Sequence, residues 1–360
     1  MVRLLGLGTA VPEQTVSQSL AAQHALSLYP HSEEERRLLP ILYGRTGVKE
    51  RGSVLFEEKG EFSLPFFPPV KEEGERGPTT EERMKQFVLK APALALQASR
   101  KAVEEAKITS DTPRHLVTVS CTGFSSPGFD LKLIKTLNLA PDISRTQIGF
   151  MGCHGAVNGL RAAHALASTY PGESVLLCAV EISSIHYAYG WKPEQVVANS
   201  LFADGAGAAV ISTRGPKGSW ALQATGSCIF PDSEDAMTWR IGNHGFEMAL
   251  SARVPQLIGT HLRGWLREWL SSQSFSIPDI RSWAVHPGGP RVLDAVESAL
   301  KLPPNPFAVS RKILAEHGNM SSATVLFLLE ELRRMDAPLP CLALAFGPGL
   351  TAEAALFISS

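Results

Sequence analysis

The chain has 360 residues, with 34 Lys and Arg against 35 Asp and Glu and a formal net charge of −1. That balance excludes a protein that grips nucleic acid through a basic excess. Apolar residues make up 44% and charged residues 19%, which excludes a disordered chain, and at ~150 residues per domain the length fits two domains or one domain of two similar halves.

In chain order, Met1–Gly8 is apolar, but Pro12, Glu13 and Gln14 end the run far short of a signal peptide or a membrane span. A cytoplasmic protein with no membrane partner is expected. Leu4–Gly8 reads as a short buried strand. Residues 32–38 are charged and helical in type, and Arg45–Arg51 reads as a polar turn. The breakers and charges of residues 52–78 read as a long surface loop. Thr79, with Glu82 three positions on, forms a capping box that opens a helix. That helix is expected to run, with an interruption near Pro92, to about Lys107.

An internal repeat follows. His115–Ser120 is a β-rich strand that runs into the turn Cys121-Thr122-Gly123. The strand-like end Ile148-Gly149-Phe150 leads to Met151-Gly152-Cys153-His154-Gly155. Behind it Ala156, Val157, Leu160, Ala163 and Ala167 fall at helical spacing. Trp283-Ala284-Val285 is a later strand, ending at His286-Pro287-Gly288-Gly289. Another helix start lies at Gly318-Asn319-Met320-Ser321-Ser322, with Val325, Leu328, Leu329 and Leu332 periodic behind it. Cys121 and Cys153 are 32 residues apart, and His286 and Asn319 are 33 apart. The matched spacing predicts a duplicated α/β unit, with one half over residues 1–213 and the other over 214–360. Polar side chains from four equivalent points then meet between the halves.

The cysteines are Cys121, Cys153, Cys178, Cys228 and Cys341, with no Cys-x-x-Cys pair, so neither a zinc site nor a disulfide framework is expected. Cys178 lies in an apolar strand and reads as core, as do Cys341 and Cys228. Cys153 is different. It stands among glycines at a helix start, where the helix N-terminus favours negative charge by about 0.3–1 kcal/mol and draws a thiol toward thiolate. His286 ends an apolar strand before a turn that opens a space. Asn319 is either an N-cap or a working carboxamide. Together Cys153, His286 and Asn319 are the parts for thiolate-based acyl chemistry.

Gly152-Cys153, Phe202–Gly207, His286–Pro290, Gly318–Ser322 and Phe346–Leu350 occur in that order. Together they resemble the type III polyketide synthases, the chalcone-synthase-like branch of the thiolase superfamily, across residues 5–358. The resemblance implies an α/β, thiolase-like fold of five layers, α/β/α/β/α, built from two duplicated halves and forming a homodimer. It implies that Cys153 takes an acyl group from a coenzyme A thioester, as a thiolate paired with the His286 imidazolium. His286 and Asn319 then hold a thioester carbonyl oxygen. Malonyl-CoA loses CO2 to give an enolate, which two such donors stabilise by roughly 3–4 kcal/mol each. Attack on the acyl-Cys153 carbonyl extends the chain, which cyclises to a pyrone or resorcinol-type product. Acyl-CoA and malonyl-CoA are the implied partners, and no metal or redox cofactor is required.

The resemblance also implies a pocket set of Phe202, Met248, Cys121, Thr122, His186, Trp239 and Ser321, with Arg45 near the coenzyme A phosphates. Phe202 matches the aromatic gatekeeper. Met248 replaces the usual second Phe and suits an aliphatic chain. Trp239 stands where plant enzymes carry a small residue, and His186 where they carry a threonine. Cys121 matches a second cysteine of bacterial tetrahydroxynaphthalene-forming relatives. Leu38, Leu39 and Ile41 fill the stretch where a basic cluster is usual. Other readings stay open at this point. One is a β-ketoacyl-carrier-protein synthase III-like enzyme, although Pro-Gly-Gly follows His286 where a Gln-Ala-Asn type sequence is usual. Another is a Cys-His-Asn acyl-CoA hydrolase. A non-catalytic binding protein would need no reactive thiol.

Overall fold

The computed structural model describes residues 1–58, 62–72, 74–108 and 113–360. The chain opens with β1 (Val2–Ala10), β2 (Thr15–Ser17), α1 (Gln18–Leu28), α2 (Glu33–Gly44) and β3 (Glu50–Gly52). The short β4 (Glu57–Glu58) and β5 (Phe62–Ser63) precede α3 (Thr80–Ala106), β6 (His115–Ser120), α4 (Phe129–Leu137) and β7 (Ser144–Gly149). Then come α5 (Gly155–Thr169), β8 (Ser174–Ile182), α6 (Pro193–Leu201) and β9 (Asp204–Ser212). The rest is β10 (Trp220–Ile229), β11 (Met237–Gly242), β12 (Gly245–Leu250), α7 (Val254–Ser272), β13 (Ser282–Val285), α8 (Pro290–Leu300), α9 (Ala308–His317), α10 (Thr324–Arg334), β14 (Cys341–Gly347) and β15 (Thr351–Ser359).

Two runs repeat one plan. β6 pairs in parallel with β8, which pairs antiparallel with β9, and β9 closes on β1. In the second run β13 pairs in parallel with β14, β14 antiparallel with β15, and β15 closes on β10. The edge strand β7 has no counterpart in the second sheet. Pro303 and Pro304 stand in the link from α8 to α9, and a proline offers no N–H to a strand ladder. Two residue pairs between β1 and β10, Val2↔Leu222 and Arg3↔Ala221, join the half-sheets into a nine-stranded sheet.

The five expected layers follow from where the apolar faces go. α3 covers the outer face of the first half-sheet, burying Phe87, Leu94 and Ala98 against Leu176 and Val210. α5 and α10 fill the space between the half-sheets with Leu160, Ala163, Val325 and Leu329. α7 and α8 cover the second half-sheet with Ile258, Leu262, Leu293 and Val296. β8 and β14 are therefore buried along their whole length, which is why they read as continuous apolar runs. Among the described residues no helix is long and apolar enough to cross a membrane.

Three expectations change. The helix from the Thr79–Glu82 capping box runs unbroken through Pro92 to Ala106. The carbonyl that Pro92 leaves without a donor belongs to the exposed Val88, where water can satisfy it. Residues 52–78 are not a surface loop throughout, because Leu55 and Phe67 are buried and pack into the α3 core; Lys59, Gly60, Glu61 and Glu73 lie outside the described residues. The turn Arg45–Arg51 ends in strand β3, which turns Arg51 inward.

Candidate active site

The duplicated plan brings the equivalent points together. Cys153 lies in a 3₁₀ turn, Gly152–His154, that feeds α5, and Ser321 opens the matching turn, Ser321–Ala323, that feeds α10. His286 follows β13, and its backbone N–H donates to the Leu344 carbonyl at 2.8 Å. Gly152 has φ +65°, and a Cβ there would stand 2.4 Å from Pro348 Cδ. Only glycine lets the Phe346–Leu350 turn press against the cysteine turn.

The Ser321 hydroxyl stands between two thiols, 3.7 Å from Cys153 Sγ and 3.0 Å from Cys121 Sγ. Asn319 Oδ1 accepts from the Ser321 N–H at 2.8 Å. That fixes the orientation of the carboxamide. His286 is buried, and among the described residues neither ring nitrogen has a partner.

Burial, not the helix end, governs the charges here. It pushes the Cys153 thiol up to about 11, partly opposed by the Ser321 and Asn319 hydrogen bonds. It pushes the His286 imidazole down to about 3, helped by the neighbouring His154 ring. Burial thus disfavours the charged form of each group and works against the expected thiolate–imidazolium pair from both sides.

Cys153 opens onto a cavity of about 110 Å³. Cys121, Thr122, Ser321, Phe202, Met248, His186 and Trp239 line it, and His286 and Asn319 do not. Arg45 does not line it and is exposed at the C-cap of α2. Several lining residues have no spare polar atom. His186 Nε2–H donates to the Thr122 carbonyl at 2.6 Å, and its Nδ1 accepts from the Phe246 N–H at 2.9 Å. Burial, with the Arg83 cation nearby, pushes that imidazole down to about 3. Trp239 Nε1–H donates to the Cys121 carbonyl at 2.7 Å, and the His186 and Phe246 rings stack at 4.2 Å. This group bolts the β11–β12 hairpin to the turn after β6. Phe56, Leu64 and Phe67, with Ala21 and Leu28 of α1, also line the cavity, residues that no motif had marked.

Glu181 was also missed. It is fully buried at the end of the apolar strand β8. Its carboxylate accepts from the Cys121 and Thr122 backbone N–H groups and the Thr122 hydroxyl, at 3.0, 3.1 and 2.7 Å, and from the Ser322 hydroxyl. Burial holds this carboxyl above its usual range. Glu181 thus ties the turn after β6 to the turn before α10, across the two halves. Glu181→Leu is expected to lower the unfolding free energy by about 3–5 kcal/mol, since it strands several buried donors. Urea unfolding of the variant checks this, and Glu181→Gln should recover part of the loss.

Comparison with known proteins decides what this arrangement belongs to. The family model "Chalcone and stilbene synthases, N-terminal domain" matches residues 1–216, and the corresponding C-terminal domain matches residues 221–360. The chain belongs to the chalcone and stilbene synthase family. It is a type III polyketide synthase, a transferase that condenses with decarboxylation. It is 32% identical to 1,3,6,8-tetrahydroxynaphthalene synthase of Streptomyces peucetius over 96% of this chain and 90% of the relative. It is 29% identical to the alpha-pyrone synthesis polyketide synthase-like Pks18 of Mycobacterium tuberculosis over 98% of this chain and 90% of the relative. Among solved structures, PKS-I from the brown alga Ectocarpus siliculosus superposes with a TM-score of 0.90 at 29% identity, covering 100% of this chain and 98% of that one. The synthase thus shares the fold with enzymes whose names carry both aromatic and pyrone products.

Proposed function

We propose that this synthase loads an aliphatic acyl-CoA starter on Cys153, extends it with malonyl-CoA and cyclises the chain to a pyrone or resorcinol-type product. One observation carries the reading: a cysteine thiol opens onto an apolar cavity, with the Ser321 hydroxyl beside it and the Asn319 carboxamide held on the Ser321 N–H. In the loading step the thiol proton passes to His286. The sulfur attacks the thioester carbonyl, and coenzyme A leaves as a thiol, recovering that proton. In the extension step malonyl-CoA loses CO2, and the electron pair forms an enolate whose oxygen is held by the Asn319 NH2 and His286. The enolate carbon attacks the acyl-Cys153 carbonyl and displaces the Cys153 sulfur. No step draws on a metal or redox cofactor.

The aliphatic starter is supported by the cavity lining. Two of its polar side chains are spent inside the protein: Asn199 bonds the Ala188 backbone at 2.8 and 3.0 Å, and the Ser53 hydroxyl donates to Ser184 at 2.7 Å. What they leave facing a ligand is largely carbon, and Met248 adds a flexible thioether. A homodimer in the cytoplasm belongs to the same reading. The edge strand β7 is unpaired on one side and largely exposed, and Phe124 and Met151 are exposed close by in sequence. The test is mass spectrometry of products from a panel of alkyl and aromatic CoA starters with malonyl-CoA. Alkyl starters are expected to give products heavier by whole malonyl-derived units. Product formed only from malonyl-carrier protein would favour the carrier-dependent synthase, and free acid alone would favour a hydrolase.

A further inference from the structure

We infer that Arg51 is a positioning residue of the condensing site, which holds Phe202 and Asn319 in place through the C-terminal end of α6. The inference rests on the condensing role proposed above for Cys153 and Asn319.

A helix leaves its last carbonyls without intrahelical donors, so a buried helix end must find them elsewhere. In α6 each one can be traced. The Phe202 N–H closes on Ala198 O at 3.1 Å. Arg51 Nη1 donates to Asn199 O, and also to Phe202 O at 3.0 Å. Gln18 Nε2 donates to Ser200 O at 2.7 Å. Leu201 O accepts from the Asn319 N–H at 2.9 Å, and the Ala203 N–H returns a bond to Asn319 O at 2.9 Å. The candidate gatekeeper and the candidate catalytic carboxamide therefore hang from one helix end, paired as a parallel bridge between Phe202 and Asn319.

Arg51 is the charged member of this collar. It is 8% exposed, and among the described residues no carboxylate pairs with it. Its counter-charge is the carbonyl end of α6, which favours a cation. The guanidinium lies 5.8 Å over the Tyr43 ring. The approach to Asn319 is also pressed against it. Gly318 has φ +73°, and a Cβ there would stand 3.0 Å from Leu201 O and 3.4 Å from Arg51 Cβ. A desolvated cation with no carboxylate partner among the described residues is a costly way to close a helix. It is explained if what it fixes is the place of Phe202 and Asn319.

The two half-reactions separate this role from plain stability. Loading uses the Cys153 thiol and His286, whereas release of CO2 from malonyl-CoA uses the Asn319 NH2. The measurements are the rate of Cys153 acylation, by intact-protein mass, and the rate of CO2 release. Arg51→Met is expected to lower the ratio of CO2 release to acylation by about 10-fold or more, because a shift of about 1 Å in a reacting group can cost ~100-fold. Arg51→Lys, which keeps the charge but not the fork, should fall between Met and wild type, and it carries the test if Arg51→Met does not fold. Gln18→Leu frees Ser200 O, and with it Tyr43 O and Thr46 Oγ1, but no bond to Phe202 or Asn319, and should leave the ratio unchanged. An equal fall in both rates for the Arg51 variants, or no change in either, overturns the inference. If the wild type shows neither acylation nor malonyl-dependent CO2, the proposed function has failed instead.

Discussion

Cys153→Ala is expected to lower malonyl-dependent product formation by on the order of 10⁴-fold or more, the scale seen when a covalent nucleophile is removed from a cooperating set. The other cysteines offer no substitute. Cys178 and Cys341 are buried in β8 and β14, and burial pushes both thiols up to about 12. Cys121 is raised well above the usual thiol range by burial and by the Glu181 carboxylate. Cys228 is on the far-side strand β10 and does not line the cavity. The same variant should still release CO2 from malonyl-CoA, because Asn319 and His286 remain. Loss of product with CO2 release retained separates a missing nucleophile from a collapsed site. A variant that makes product at the wild-type rate removes Cys153 from the chemistry.

The other large effect is on pH dependence. The alkylation rate of Cys153 by iodoacetamide is expected to rise about tenfold per pH unit across the neutral range in the wild type. Burial holds the thiol up at about 11 and the imidazole down at about 3. The reactive thiolate therefore forms by loss of a proton to water, and its share grows with pH until the thiol itself titrates. A level profile across the neutral range would show a thiolate already formed and would contradict burial as the governing cause.

Much of this was legible in the residues. The strands at His115–Ser120 and Trp283–Val285 are short apolar runs closed by turn residues, and the helices behind Gly155 and Ser321 show plain 3.6-residue spacing. Their matched separations place Cys153, His286 and Asn319 at equivalent strand ends and helix starts of the two halves. What failed to show depends on contacts far apart in the chain. Arg51 sits in a charged stretch, and only the inward turn of a three-residue strand, with Glu50 exposed beside it, sets it apart. Glu181 did leave a signal, since a carboxylate inside the otherwise apolar run Val175–Ile182 must find donors. Leu55 and Phe67 were hidden among prolines and charges, and only the shape of α3 buries them. The helix N-terminus that draws the Cys153 thiol toward thiolate is visible in the sequence, and the depth of burial that raises it is not.

The most direct measurement is the mass of the intact protein during turnover, in two stages. With an alkyl-CoA starter alone, the account predicts one acyl group on Cys153, stable until malonyl-CoA is added. Malonyl-CoA should then discharge it as an extended product with release of CO2. An adduct elsewhere in the chain, or one that leaves as the free acid without malonyl-CoA, would contradict the account.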